Sequence, residues 1–277
     1  MPEQPTLVLG VSGPAVQLLA QQLQEAGALP PGPLPEQFTR ELEAIVRDFQ
    51  QTHLDKEGAF LKSDGVVGPA TWWALSNASG PAQRSNLAAT IPAGLGPLRR
   101  RILEVALAEH QKDVVEQPNG SNRGPELDKY LPDWVTKSAD RGPPWCCFFY
   151  SWVVKQALGD WPLGGREGSC GKARERAGTL GIWVPKTLPG AHPLPGDAFV
   201  MDHGGGQGHI GFVLRVAKDG SRFNTLEGNC GNRVKLGLRR LDESHLVGFI
   251  DNVKSEQPVE FERGVVGAAG AASESTR

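Results

Sequence analysis

The chain has 277 residues, of which 39% are hydrophobic and 22% charged, and its formal net charge is −2. This length is long for one domain and comfortable for two, and the composition is that of an ordinary globular protein. The near-neutral balance gives no electrostatic footprint for nucleic acid or an anionic membrane, so neither is expected as a main partner.

From the amino end, MPEQPTLVLGVSGP has no basic start and only a short apolar run, so a secretory signal is not expected. Pro14 opens a helical pattern with Val16, Leu19, Ala20 and Leu23 on one face, and Gly27 suits its end. After the Pro-rich loop 30–35, Thr39 can cap a second helix, with Glu41 and Glu43 in its first turn and Leu42, Ile45, Val46 and Phe49 along one side. The turn Asp64-Gly65 leads to Gly68, and Pro69 starts a short helix carrying Trp72, Trp73 and Leu75. Three such helices can bury one small core, which predicts a helical domain over residues 1–80. Residues 81–96 lack periodicity and read as a linker, and the small, polar run 254–277 reads as a disordered tail.

Between them, residues 97–253 begin with helical patterns at 98–109 and about 146–158. Strand patterns follow at 197–201, 209–216, 222–227 and 246–250. Helices first and strands later predict an α+β domain with an antiparallel sheet. The most apolar stretch, Trp145 to Val154, is far shorter than the roughly 20 residues a membrane-spanning helix needs.

The four cysteines are Cys146, Cys147, Cys170 and Cys230, too few for a disulfide-stapled scaffold of this size. Cys146 and Cys147 are adjacent, which is not the spacing of a structural zinc site. Cys170 and Cys230 leave room for a single disulfide, but at least one reactive thiol is expected. Pro143-Pro144-Trp145 leads directly into the helix that Cys146 opens. A thiol in a first helical turn faces unpaired backbone N–H groups and the positive end of the helix dipole, both of which favour thiolate. Buried free cysteine is common, so the helix alone also fits two small core residues.

The strand pair at 209–227 changes that balance. His209 opens a strand in which Ile210, Phe212, Leu214 and Val216 alternate to one face. A three-residue loop Lys218-Asp219-Gly220 would set Asn229 opposite His209 and Glu227 one diagonal away on the same face. Cysteine catalysis needs that arrangement: the histidine takes the thiol proton, and a carboxylate or amide on its far side fixes the ring. His203, in a Gly-rich loop, is a weaker rival; His53, His110, His192 and His245 lie in surface or structural contexts.

PWCCFFYSWV, LPGDAFVMDHGGGQGHIGFV and TLEGN, in this order, resemble the CHAP domains (cysteine, histidine-dependent amidohydrolase/peptidase) of the NlpC/P60-like, papain-related group. The resemblance covers about 98–252 and includes NRGPELDKYL (122–131), which in such domains lines the approach to the nucleophile. It implies a papain-like fold with N-terminal helices packed on an antiparallel sheet. It also implies Cys146 as nucleophile after a tryptophan, His209 as base, and Glu227 and Asn229 as the third and fourth polar groups. Asn122, Arg123 and Trp145 are expected beside the substrate, and Pro195-Gly196-Asp197 matches a structural turn. Similar sequences usually have alanine at position 147, so Cys147 remains a second candidate nucleophile should the helix start one residue later. Val16, Leu19 and Leu23, then FTRELEAIVRDFQ and DGVVGPATWWAL, resemble the peptidoglycan-binding type 1 module over about 10–76. Trp72 is expected inside and Trp73 outside, able to stack on a sugar face; an unrelated three-helix unit with core tryptophans is the alternative.

Together the resemblances imply a peptidoglycan hydrolase, either an N-acetylmuramoyl-L-alanine amidase or a stem or cross-bridge endopeptidase, working through a thioester. No metal or organic cofactor is required; calcium occurs in some relatives, but the sequence has no EF-hand-type acidic loop. The expected chain is a monomer with no membrane span, and its expected partner is bacterial peptidoglycan. It would be made in the cytoplasm and reach the wall by holin-type release, as a phage endolysin does, or by injection as an antibacterial effector. The second route brings in secretion machinery and an immunity protein as partners. Two alternatives stand beside this one. A cysteine-dependent acyltransferase or deamidase-type toxin would resolve the thioester with an amine, which the N-terminal module argues against. A non-catalytic wall-binding protein would not need Cys146, His209 and Glu227.

Overall fold

A computed structural model describes residues 4–56, 61–78, 91–138, 141–254 and 256. The first unit contains α1 (Pro14–Glu25), α2 (Arg40–Thr52) and α3 (Pro69–Ser76). Pro14 and Pro69 stand in the first turns of their helices, where the missing N–H has no partner to lose. Thr39 Oγ1 accepts the Leu42 N–H at 3.3 Å and caps α2. Val16, Leu19 and Leu23 of α1 meet Val46 and Phe49 of α2 and Trp72 of α3 in one core. Buried Gln50 ties that core to the turn before α3: its amide donates to Val66 O at 2.9 Å and its carbonyl accepts from Gly65 N at 2.9 Å. Gly65 sits at φ +75°, and a Cβ there would lie 2.6 Å from Glu43 Cγ, so the turn needs glycine.

The second unit is α+β. Its helices are α4 (Pro97–Gln111), α5 (Asp133–Ser138), α6 (Cys146–Leu158) and α7 (Cys170–Thr179), with a 3-10 turn at Asp128–Tyr130. Its strands are β1 (Trp183–Pro185), β2 (Ala198–Gly204), β3 (Gln207–Val216), β4 (Arg222–Glu227), β5 (Lys235–Arg240) and β6 (Leu246–Ile250). They form a six-stranded sheet in the order β1-β6-β2-β3-β4-β5, with each neighbouring pair antiparallel. Helix α6 is apolar around most of its circumference because it lies inside, between α4 and the sheet. Phe149 and Tyr150 meet Phe212 there, and Tyr130 and Trp145 stack nearby. Each such side chain removed from water contributes about 1.5–3 kcal/mol. A smaller cluster of Phe199, Val213, Phe223 and Phe249 is separate from that main core.

The hairpin that carries the site closes differently from expectation. Ala217 N–H bonds Arg222 O at 3.0 Å, so four residues make the turn, with Gly220 at φ +70°. A bulge between Val213 and Arg215 then absorbs the extra residue, and beyond it Phe212 faces Leu226. That is the register the three-residue loop would have produced, reached by two irregularities that cancel. Strand β4 ends at Glu227, and Asn229 takes a left-handed conformation at φ +58° rather than continuing opposite His209.

Buried Arg99 of α4 clamps the start of β2 to the end of its neighbour β6, bonding Asp197 before β2 at 2.6 Å and Asp251 after β6 at 2.7 Å. Of the expected linker, residues 81–90 lie outside the described residues, while Ile91 and Leu95 pack against the larger core. Most of the expected tail also lies outside them. Its described part is held in place: the Glu256 carboxylate accepts from Leu98 N at 2.8 Å and Arg99 N at 3.1 Å at the start of α4. The units touch where Asp55 pairs with Arg222 at 2.8 Å and Leu54 packs against the larger core. No described helix is long and apolar enough to cross a membrane.

Candidate active site

Helix α6 begins at Cys146, with Trp145 at its N-cap position. Cys146 keeps 5% of its surface exposed, whereas Cys147 has none and faces the core. Cys146 faces the His209 ring closely enough that each alters the other's proton affinity. His209 Nε2 lies 2.7 Å from Glu227 Oε2, which leaves Nδ1 as the ring nitrogen free to serve the thiol. His203 is exposed and its ring lies 4.9 Å from that of His245.

Glu227 is fully buried and held from three sides. Arg239 of β5 grips it with one edge of its guanidinium in a two-point contact, Nη2 to Oε2 at 2.6 Å and Nε to Oε1 at 3.0 Å. Thr225 Oγ1 donates to Oε1. Room for the carboxylate comes from glycines on the neighbouring strands. A Cβ at Gly211 of β3 would lie 2.9 Å from Glu227 Cγ, and one at Gly237 of β5 would lie 2.8 Å from its Oε1. Arg239 also lies over the Phe199 ring, 5.5 Å from its centroid.

These contacts set the charges. Burial alone would push Glu227 up, but His209 and Arg239 hold it well below the ordinary carboxylate range. Burial pulls His209 down, yet its bonds to Cys146 and Glu227 outweigh this and raise it to about 9. The thiol departs from expectation. Cys170, beside it, and burial raise Cys146 well above the ordinary thiol range, against the pull of His209. Thiol and imidazole each shift the other, so they titrate as a coupled pair.

A second buried carboxylate, Glu116, ties together the segments around Cys146. Its Oε1 accepts from Trp145 Nε1 at 2.9 Å and its Oε2 from Asn122 N at 3.0 Å. With its amide oriented to suit these neighbours, Asn229 donates to Glu116 Oε1 at 3.3 Å and accepts from Trp145 N at 3.1 Å. Asn229 thus fixes the backbone just before Cys146, and orienting His209 falls to Glu227.

A thiol, an imidazole and an ionised carboxylate in series make a nucleophile, its base and the group that aligns the base. Residues 138–229 match the CHAP domain family, and residues 12–75 match the peptidoglycan binding domain family. The chain carries a CHAP domain behind a peptidoglycan-binding domain. No curated protein and no solved structure matches it. A CHAP domain implies an amidase or peptidase on peptidoglycan, and the N-terminal domain supports peptidoglycan as the substrate, so the protein is a peptidoglycan hydrolase in the general sense.

The matched CHAP span holds Cys146, His209, Glu227 and Asn229, but Arg239 lies beyond its end and Glu116 before its start. Sequence reasoning missed both, along with Thr225 and the elements α5, α7, β1 and β5. Strand β5, KLGLRR, is short, basic and interrupted by glycine, and α7 buries just Cys170, Ala173 and Ala177, so neither shows a strong apolar period. Two of the expected substrate contacts are engaged within the protein. Trp145 has no exposed surface, and its indole serves Glu116 instead. The Arg123 guanidinium is engaged in a two-point pair with Asp128, at 2.9 and 2.8 Å, that folds the loop around Asn122. Asn122 itself is partly exposed at φ +54°. In the N-terminal domain Trp72 is buried, its Nε1 donating to Pro5 O at 2.8 Å, while Trp73 is 40% exposed.

Proposed function

We propose that this protein cleaves an amide bond of peptidoglycan through a thioester on Cys146. The observation that carries this reading is the Cys146–His209–Glu227 series, with His209 Nε2 held 2.7 Å from a buried, ionised carboxylate. His209 takes the thiol proton as sulfur attacks the carbonyl, then returns it to the leaving amine. Backbone N–H groups at the mouth of α6 face the developing oxyanion. Water, activated by the same ring, then releases the acyl group. The bond is the one joining muramic acid to L-alanine or one within the stem or cross-bridge peptide. The setting we propose is a cytoplasmically made enzyme delivered to the wall, as a phage endolysin or an injected antibacterial effector.

Mass spectrometry of fragments released from purified sacculi is the deciding experiment. Free muramic acid carboxyls paired with new L-alanine amino termini indicate the amidase; new amino termini inside the peptides indicate the endopeptidase. Cys146→Ala is expected to lower release at least about a thousandfold while the protein still co-sediments with sacculi. Release by Cys146→Ala at the wild-type rate would overturn the mechanism.

A further inference from the structure

Cys170 has no part in the chemistry above, yet its sulfur lies 3.8 Å from that of Cys146, and both thiols are reduced. Cys170 opens α7 as Cys146 opens α6, so two helix mouths are brought together sulfur to sulfur. The approach is built rather than incidental. Ser151 of α6 and Glu167 in the connection to α7 exchange hydrogen bonds: Ser151 Oγ donates to Glu167 O at 3.1 Å, and Glu167 N donates to Ser151 Oγ at 3.0 Å. The Glu167 carboxylate then accepts from Gly168 N and Ser169 N, each at 2.9 Å, which fixes the residues that lead into Cys170. Gly168 passes so close to Phe148 of α6 that a Cβ would lie 2.2 Å from its ring. On the other side, Gly208 of β3 leaves room for Cys170, whose Cβ would be 3.0 Å from a Cβ at that position. By sequence Cys170 and Cys230 leave room for a disulfide; the fold instead sets Cys170 beside Cys146, with Cys147 also next to it.

We propose that Cys170 is a resolving cysteine, an oxidative-modification site that forms a reversible disulfide with Cys146 and switches the hydrolase off when hydrogen peroxide reaches the site. His209 accepts the Cys146 proton, and the thiolate attacks the peroxide O–O bond. This gives Cys146 sulfenic acid and hydroxide, which takes the proton from His209 and leaves as water. The Cys170 sulfur then attacks the sulfenic sulfur, and the S–O bond breaks. The departing oxygen carries off the Cys170 proton as a second water. Two thiols lose two electrons and one peroxide is reduced to two waters. To reach the disulfide length of about 2.05 Å the sulfurs approach by roughly 1.8 Å, a movement that side-chain rotation supplies. A dithiol reductant reverses the bond. Without Cys170, the sulfenic acid loses its resolving thiol and proceeds to irreversible acids.

The activity part of this proposal rests on Cys146 being the nucleophile; formation of the bond does not. The experiment treats the full-length protein with hydrogen peroxide and reads intact mass, unreduced peptide maps and sacculus release, each activity relative to the same protein untreated. Wild type is expected to lose two hydrogens, yield a peptide pair joined through Cys146 and Cys170, fall in activity more than about a hundredfold, and recover with dithiothreitol. Cys170→Ala is expected to gain oxygens and stay inactive after dithiothreitol; Cys170→Ser, closer in size and polar at the helix start, is the second variant should the first fold poorly. Cys147→Ala is expected to behave as wild type. Oxygen gain in wild type, a cross-link through Cys147 or Cys230, or full recovery of both Cys170 variants overturns the proposal. A Cys146–Cys170 cross-link with activity retained overturns the nucleophile assignment and the switch with it. Absence of the cross-link alongside an inactive Cys146→Ala overturns the switch alone.

Discussion

Glu227 is the residue on which the charge state of the site turns, since it is an anion without solvent and survives as one because Arg239 and His209 surround it. Glu227→Gln removes the charge that holds the imidazole and is expected to lower kcat about a hundredfold to ten-thousandfold, with little change in KM. Arg239 bonds Glu227 and acts through it, so Arg239→Met is expected to lower kcat by about tenfold, with Arg239→Lys recovering part of it. Steady-state kinetics on soluble muropeptides separates these effects. The same pair links stability to pH. His209 is raised from its ordinary 6.5 to about 9, so its contribution is complete below about 6.5 and lost as pH rises through about 9. Glu227 is lowered from 4.5, so its contribution is complete above about 4.5 and lost on acidification below that. The drop in Tm caused by His209→Ala is therefore expected to be largest between about pH 4.5 and 6.5 and to have faded by about pH 10. A drop that grows with pH across this range would contradict the pairing.

Among the elements, three consecutive strands at one side of the sheet divide the labour. Strand β3 presents His209, β4 presents Glu227, and β5 supplies Arg239 together with the bare glycine that lets the carboxylate lie flat between strands. Gly237→Ala places a methyl group 2.8 Å from Glu227 Oε1 and 2.7 Å from Thr225 Oγ1. The strand itself accepts alanine, so the displacement falls on the carboxylate. We expect a fall in kcat of at least about tenfold with a stability loss of only about 1 kcal/mol, measured by kinetics and urea unfolding. A variant with full activity would mean that Glu227 has more freedom than its contacts imply.

For the whole molecule, two cores do two tasks. The small helical core displays Trp73 on the peptidoglycan-binding domain, and the larger one holds the Cys146–His209–Glu227 series on the CHAP domain. Trp73→Ala is expected to weaken co-sedimentation with sacculi about tenfold, the loss of ~1–2 kcal/mol of aromatic contact. Turnover of soluble muropeptides should be unchanged by the same substitution. Equal binding by both proteins would move the ligand surface away from Trp73.

What lay open in the chain was whatever depends on neighbours close in sequence. Proline starts, the Thr39 cap, the glycine-bearing turns and the period of apolar residues located α1, α2, α3, α4 and α6 and four of the six strands. The motif order around Cys146, His209 and Glu227 carried the CHAP resemblance, and the segments from Val16 to Leu75 carried the peptidoglycan-binding one. The pairings that give those residues their charges were not open to inspection. Arg239 is twelve residues from Glu227 on an exposed-looking basic strand, Glu116 is twenty-nine from Trp145, and Cys170 is twenty-four from Cys146. A lone charge or thiol in a polar segment carries the same local signal whether water or a buried partner awaits it, because its burial is decided by strands and helices that meet only when the chain has folded.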